Sequence, residues 1–130
     1  CTAVAGSSDW FERGIVSYSN AAKTGLLGVD AASIAGHGAV SEAVARAMLA
    51  GVLARAPVRV GVAVTGIAGP GGAVPGKPVG TVWLAWGRGH HPPITQMVHL
   101  HGDRDAVRRQ TVAAALEGLQ KILTTPSEAF

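Results

Sequence analysis

The stretch from Val58 to Thr65 constrains the fold more than any other part of the sequence, because both of its faces are suited to burial. Valine occupies every second position up to Val64, and Gly61, Ala63 and Thr65 alternate with the valines. In a β-strand these two sets point to opposite sides. The small residues allow a helix to approach closely on one side. We therefore predict an interior strand of a sheet that is covered by helices on both faces.

The rest of the sequence predicts the element order β-α-α-β-β-β-α, which indicates an α/β protein with a mixed sheet. The strands are expected at Gly14–Ser19, Val58–Thr65, Gly80–Trp86 and Ile94–Leu100, the last of them nearer an edge. The helices are expected to begin at the capping residues Asn20, Asp30, Ser41 and Asp103. Gly28 is typical of a helix end, and Pro57 stops the third helix.

Two of these elements carry a predicted orientation. In the first strand, Val16 and Tyr18 should share one face, and Ile15 and Ser17 should share the other. In the last helix, a spacing of three and four residues predicts an apolar side that runs through Val112, Leu116, Leu119 and Leu123.

Composition limits the class of protein. A chain of 130 residues with 48% hydrophobic and 15% charged residues predicts a single globular domain over 1–130. The net charge of +3 comes without a run of basic residues, which argues against a nucleic-acid partner. No apolar stretch is long enough to predict a membrane span. The single cysteine, Cys1, fits the reducing cytoplasm. No motif calls for a cofactor.

The glycine-rich segment TGIAGPGG, residues 65–72, directly follows the strand. It lacks the Gly-Lys-Ser/Thr end of a phosphate loop, and it does not fit the dinucleotide fingerprint G-x-G-x-x-G. The connection from Gly66 to Val79 is about fourteen residues long, and such lengths are typical of functional loops. A hairpin-like turn that uses glycine for its positive φ is the structural alternative.

TGIAGPGG followed by Lys77-Pro78-Val79-Gly80-Thr81-Val82-Trp83 resembles the C-terminal domain of competence/damage-inducible protein A, the nicotinamide mononucleotide deamidase family. Further agreement lies at Ala5–Ser8 with Phe11 and Arg13-Gly14, at Tyr18–Asn20 with Lys23, at His37–Ser41, and at Gly102–Asp105 with Val107-Arg108. The resemblance implies a three-layer α/β/α sandwich and self-association into a homo-oligomer. It implies hydrolysis of the nicotinamide mononucleotide carboxamide, giving the nicotinate nucleotide and ammonia.

The family's nucleophilic serine lies in a stretch reading Ala-Glu-Ser-Cys-Thr-Gly-Gly, which does not occur in this sequence. By resemblance the chain is therefore expected to lack the first part of the domain, including its first strand and helix, and to be inactive as given. Ser7, Ser8 and Cys1 are the available substitutes, although loop serines are usually turn residues and a chain end is rarely held rigidly.

The resemblance implies catalytic roles for Tyr18, Lys23 and Thr65. A lysine at a helix start opposes the helix dipole, so helix stability does not explain Lys23, and a lysine desolvated in a pocket can act as a general base. The alternative is an exposed lysine beside a core tyrosine. Thr65 lies at the carboxyl end of a strand, where α/β proteins bind ligands.

The substrate-binding residues implied by the resemblance are Gly66, Gly69, Gly71, Arg104 and Arg108. The two arginines lie one turn apart at a helix N-terminus, where a phosphate gains from both charge and dipole. The alternative is a solvated helix face on which Asp105 pairs with Arg109.

Two open questions concern metal binding and activity. His99 and His101 share a strand face, but no third ligand accompanies them, and no metal site is predicted. If the chain is not an amidohydrolase, it is a non-catalytic nucleotide-binding or oligomer-forming module, or a partner-binding domain linked to competence or DNA damage.

Overall fold

The computed structural model describes residues 1–125, in which a β-sheet lies between two layers of helices. Its strands are β1 (Val60–Gly66), β2 (Thr81–Arg88) and β3 (Ile94–His99), which pair antiparallel in the order β1-β2-β3. The helices are α1 (Asn20–Leu27), α2 (Ala31–His37), α3 (Glu42–Arg55) and α4 (Arg104–Thr124). The predicted α/β/α sandwich is confirmed, and β3 lies at an edge as predicted.

The helix starts follow the predicted capping chemistry, with one correction. The side chains of Asp30, Ser41 and Asp103 accept hydrogen bonds from backbone N–H groups of the first turn, as expected of N-caps. The prediction of Asn20 as a cap was wrong by one residue. Ser19 has extended backbone and its Oγ accepts from the Ala22 N–H, so Asn20 already belongs to α1.

The core on one side of the sheet lies between α3 and the small residues of β1 and β2. A side chain added at Gly61 would come within 3.1 Å of Leu53, and one added at Gly87 would come within 3.0 Å of Leu49 and Leu53. Helix α3 therefore packs directly on glycine backbone, which confirms the predicted close approach of a helix to this face.

The core on the opposite side is formed by β2 and α4, and its buried members are Val82, Leu84, Trp86, Val107, Ala115 and Ile122. The predicted apolar side of α4 was wrong for three of its four members, since Val112, Leu116 and Leu123 are exposed and only Leu119 packs against this core. The reason is Gly118, over which the Trp86 ring lies so closely that a Cβ would meet it at 2.1 Å. Because of this contact, the side of α4 that faces the sheet is the one with Val107, Ala115 and Ile122.

Two predictions about the sheet itself were wrong. The segment Gly14–Ser19 alternates as expected, with Ile15 and Ser17 turned inward, but it forms no strand because it pairs with no neighbour within residues 1–125. Strand β1 is not interior, since within residues 1–125 it pairs only with β2. Both departures have the same cause, which is a gap between the two segments.

Candidate functional site

The gap is a cleft of about 450 Å³ between the extended segment Arg13–Tyr18 and the free edge of β1. One side is lined by that segment, and the other by residues 62–66. Helices α1 and α3 close one face of the cleft with Leu27, Met48 and Val52. Lys23, Tyr18 and Thr65, which the sequence predicted as catalytic, all line this one cleft.

Lys23 is the buried charged residue of the cleft, with only 6% of its surface exposed. Its Nζ donates to the carbonyl oxygens of Ser17 at 3.1 Å and Tyr18 at 3.0 Å. Burial lowers the pKa of the Lys23 ammonium, and Tyr18 opposes part of that shift. Because its two recorded partners are backbone carbonyls and not carboxylates, the lysine is held in place without a neutralising anion.

Tyr18 and Arg104 connect the extended segment to the glycine loop. Tyr18 is exposed, and its hydroxyl lies 3.5 Å from Nη2 of Arg104. Nη1 of Arg104 donates to the Gly69 carbonyl at 2.8 Å. The end of the extended segment, the start of α4 and the glycine loop therefore meet at one end of the cleft.

Thr65 is buried at the end of β1, and its Oγ1 donates to the Ala39 carbonyl at 2.9 Å. This bond commits the hydroxyl hydrogen to the loop before α3, so the oxygen is left as an acceptor. Lys77 holds the end of α2, which precedes this loop, since its Nζ donates to the His37 carbonyl at 2.7 Å.

The predicted glycines of the loop differ in what the fold requires of them. Side chains added at Gly66 or Gly69 would come within 2.7 Å of Val82 and 2.5 Å of Val79 respectively, and Gly69 also has a φ of +83°. Gly71 is exposed, and a Cβ there would meet nothing within 4 Å. Packing thus accounts for Gly66 and Gly69, and the loop joins β1 to β2 as the hairpin-like connection of the structural alternative.

Arg108 lies on the opposite face of β1, in a second cavity of about 400 Å³ that it shares with Val64, Gly66 and Ala68. It has no ion pair or hydrogen bond to any residue in the range 1–125. Arg109 is different, because its Nε contacts Asp105 at 2.9 Å, as the solvated-face alternative predicted. Val64 and Gly66 line both cavities, so the start of the glycine loop lies between the cleft and the cavity that contains Arg108.

Other candidates lie outside the cleft. Ser7 and Ser8 are not among its lining residues, whereas Ser17, which the sequence reasoning missed, is. The buried position of Ser17 was signalled by its alternation with Val16 and Tyr18. The rings of His99 and His101 lie 5.0 Å apart. No group of three metal-ligating side chains occurs in the described part of the chain, and none of its helices could cross a membrane.

Comparison with known proteins places these features in a family. The model of the CinA C-terminal domain matches residues 1–123. The nicotinamide-nucleotide amidohydrolase PncC of Pseudomonas putida is 54% identical over 123 residues, which cover 95% of this chain and 76% of that protein. The protein of the same name from Escherichia coli (strain K12) is 51% identical, over 91% of this chain and 72% of its own length.

Solved structures agree with this relationship. Competence damage-inducible protein A from Klebsiella pneumoniae superposes with a TM-score of 0.88 and 38% identity, over 93% of this chain and 74% of that one. The competence/damage inducible protein CihA of Agrobacterium tumefaciens gives a TM-score of 0.89 and 41% identity, with the same coverage of both chains. The resemblance predicted from the sequence is confirmed, and the chain belongs to the CinA C-terminal domain family.

Proposed function

We propose that the chain carries the base and the phosphate-binding residues of a nicotinamide-nucleotide amidohydrolase. The reaction converts the carboxamide of nicotinamide mononucleotide to a carboxylate and releases ammonia. The observation that carries the proposal is Lys23, a buried lysine without an anionic partner that lines the same cleft as Tyr18 and Thr65. The names of the curated relatives give the same activity.

The contacts of Lys23 suit it to proton transfer. A neutral lysine amine has two hydrogens, and the carbonyls of Ser17 and Tyr18 can accept both of them. Its lone pair is then left for the proton of a nucleophile in the cleft. Burial favours this neutral form because it lowers the pKa of the group.

In the proposed reaction a serine hydroxyl attacks the carboxamide carbon while Lys23 takes its proton. Lys23 returns that proton to the leaving nitrogen, and ammonia departs from an acyl-enzyme. A water then cleaves the ester, again with Lys23 as base, to give the carboxylate and restore the serine. Thr65, whose hydroxyl hydrogen is used by the Ala39 carbonyl, is proposed to accept a hydrogen bond from the carboxamide nitrogen.

The serine of this scheme is proposed to come from a segment with the pattern Ala-Glu-Ser-Cys-Thr-Gly-Gly, which the 130 residues do not contain. The chain alone should therefore release no measurable ammonia, because loss of a catalytic serine costs many orders of magnitude in rate. Serine-dependent turnover by the chain itself would contradict this and would direct attention to Ser17, Ser7 and Ser8.

Phosphate binding is proposed for Arg104, which donates to the Gly69 carbonyl, and for Arg108, which shares a cavity with Gly66; Gly71 of the same loop is proposed to contribute. Both arginines are in the first turns of α4, where backbone N–H groups and the helix dipole favour an anion. Arg108 has no protein partner among residues 1–125, so its guanidinium is available to a ligand. A cytoplasmic homo-oligomer acting on a small nucleotide completes the proposal, with no cofactor required.

Calorimetry tests the phosphate site on the chain as it stands, with nicotinamide mononucleotide and its riboside as ligands. A charge-assisted bond is worth about 1.5–3 kcal/mol, so Arg108→Ala should weaken the mononucleotide by about ten- to a hundredfold. The riboside, which has no phosphate, should bind as before. Arg109→Ala is the matched control, because that arginine is exposed and paired with Asp105. Equal losses for both ligands would mean that Arg108 supports only the fold.

A further inference from the structure

The end of β3 presents two histidines on one side of the chain. His99 is the last residue of β3 and His101 follows two positions later, so in extended backbone both point away from Leu100. Leu100 packs against the core between the sheet and α4, whereas both histidines are exposed. Their ring centroids lie 5.0 Å apart. Because an imidazole nitrogen binds a metal ion at about 2.0–2.1 Å, two rings at this separation can reach one ion between them.

The backbone that carries the two histidines is held in place. The Leu100 N–H donates to the Gly80 carbonyl at 2.8 Å, and Nε2 of Gln110 in α4 donates to the His101 carbonyl at 2.8 Å. A side chain at Gly80 would come within 2.0 Å of the Leu100 carbonyl oxygen, so the residues after the glycine loop lie directly against this segment. A ligand that joins the two side chains therefore has little backbone left to order.

One hydrogen bond determines which nitrogen of His99 can bind a metal. Nε2 of His99 lies 3.2 Å from the Val79 carbonyl oxygen. A carbonyl can only accept, so Nε2 carries the hydrogen and donates it, and Nδ1 of the neutral ring keeps its lone pair. Metal-binding histidines have this arrangement, since their second ring nitrogen usually donates to a carbonyl or a carboxylate. The ring nitrogens of His101 have no hydrogen-bond partner within residues 1–125, so that ring is also available.

We propose that His99 and His101 bind one divalent transition-metal ion that prefers imidazole, such as Cu²⁺, Ni²⁺ or Zn²⁺. Nδ1 of His99 supplies one ligand, a ring nitrogen of His101 supplies the second, and water completes the coordination. Two protein ligands are fewer than the four of a structural zinc site, so the ion should exchange with solvent. Mn²⁺, Mg²⁺ and Ca²⁺ should be rejected, because they favour carboxylate, carbonyl and water ligands.

The histidine pair is separate from the proposed catalytic residues. Val79, His99 and His101 line neither the cleft that contains Lys23 nor the cavity that contains Arg108. The ion is therefore not part of the proposed reaction, and the inference does not depend on the proposed function. Its effect is on the fold, since an ion that binds only the folded chain stabilises that chain by mass action.

Broadening of amide resonances by Cu²⁺ tests the site on the untagged 130-residue chain. All proteins carry Cys1→Ser, because the exposed thiol of Cys1 is another metal ligand. Cu²⁺ below one equivalent should broaden the amides of residues 79–81 and 98–102 before any others. Mn²⁺ at the same concentration is also paramagnetic but prefers oxygen ligands, so it should leave these amides sharp.

Three variants distinguish the pair from other histidines. His99→Gln and His101→Gln should each weaken Cu²⁺ binding at this position by roughly tenfold or more, since loss of even an outer partner of a metal ligand costs about 10- to 100-fold. His90→Gln, in the exposed turn before β3, is the matched control and should leave binding unchanged. Zn²⁺ should raise the melting temperature of the parent chain but not that of the double variant His99→Gln/His101→Gln.

The outcomes decide between a two-histidine site and general metal binding. Broadening centred on the N-terminus or on His90 and His91 would place the ion elsewhere and overturn the proposal. Broadening at 98–102 that survives the loss of either histidine would show that a single imidazole suffices, and would overturn it as well. Equal broadening by Mn²⁺ would do the same. Because His99 and His101 are exposed, the variants should fold normally, and the same spectra report whether they do.

Discussion

Strands β1 and β2 have similar apolar sequences but very different surroundings. In β2, Leu84 and Ala85 are fully buried, because the strand has a neighbour on each edge and a helix layer on each face. In β1, Val64 remains 39% exposed beside the cleft. An apolar pattern thus indicates which faces a strand must bury, but the neighbours on its edges decide whether burial is complete.

The largest expected effect is a difference in stability loss between the centre of the sheet and the open flank, by which we mean the segment Gly14–Tyr18 beside the free edge of β1. Leu84→Ala should lower the free energy of unfolding by about 3 kcal/mol, since it leaves a cavity in a filled core. Val16→Ala should change it by about 0.5 kcal/mol or less, because the side chain is exposed. Urea denaturation of both variants measures the difference. A similar cost for the two would show that the flank is packed and the contrast is false.

A second pair of variants asks whether the open flank extends to α1. A Cβ at Gly51 of α3 would lie 2.0 Å from the Leu27 carbonyl oxygen, so Gly51→Ala must separate α3 from α1 and should cost about 2 kcal/mol. Gly25→Ala is the control in α1, because a Cβ there meets nothing within 4 Å and alanine favours the helix by about 0.5–1 kcal/mol. Thermal unfolding should shift in opposite directions. If Gly51→Ala is neutral, α1 is as loosely held as the segment before it.

Lys23 makes the open flank sensitive to alkaline pH. Its pKa is lowered by burial, so between that value and the ordinary 10.5 the unfolded chain binds more protons than the folded one. Stability should therefore rise with pH across this interval. Lys23→Met lacks the group, and its stability should fall relative to the parent chain as the pH is raised from 7 towards 10.5. A constant difference over that range would mean that the lysine is as solvated in the fold as outside it.

The smallest expected effect on stability is at the contact between β3 and α3, on the side of the sheet away from the open flank. Oε2 of Glu42 accepts from Thr95 at 2.7 Å and from Arg46, and these bonds lower the pKa of the carboxyl group. The resulting stability is present above the ordinary value of 4.5 and is lost as the pH falls through the lower folded value. Thr95→Val should weaken this dependence. Parent and variant should differ slightly at pH 7 and converge in acid, and parallel acid curves would contradict the assignment.

Local chemistry made much of the fold predictable. The caps Asp30, Ser41 and Asp103 depend on residues within one turn, and the alternation of Ile15 and Ser17 depends only on strand geometry. The buried side of α4 could not be predicted from the sequence of the helix alone, because it depends on the Trp86 ring of β2, which packs on Gly118. The gap beside β1 was equally hidden, since no single segment encodes the absence of a neighbour.

The site was predictable for a related reason. Lys23 was identified because a cation at a helix start needs an explanation, and the family resemblance supplied one. Lys23, Tyr18 and Thr65 line one cleft, whereas their catalytic roles stay predictions. The sequence did not indicate that Arg104 would bond the glycine loop while Arg108 turned to the other face of β1, because that division depends on how α4 docks on the sheet.

The contact between Trp86 and Gly118 has a consequence for how the family can vary. The indole is buried, donates to the Ala115 carbonyl at 3.0 Å and occupies the space that any side chain at 118 would need. A large side chain at position 86 therefore excludes a large side chain at position 118, and the reverse also holds. Among relatives, the two columns should covary, with tryptophan opposite glycine and a larger helix residue only opposite a smaller strand residue. The pair then serves as a marker of register between sheet and final helix that can be read from aligned sequences alone.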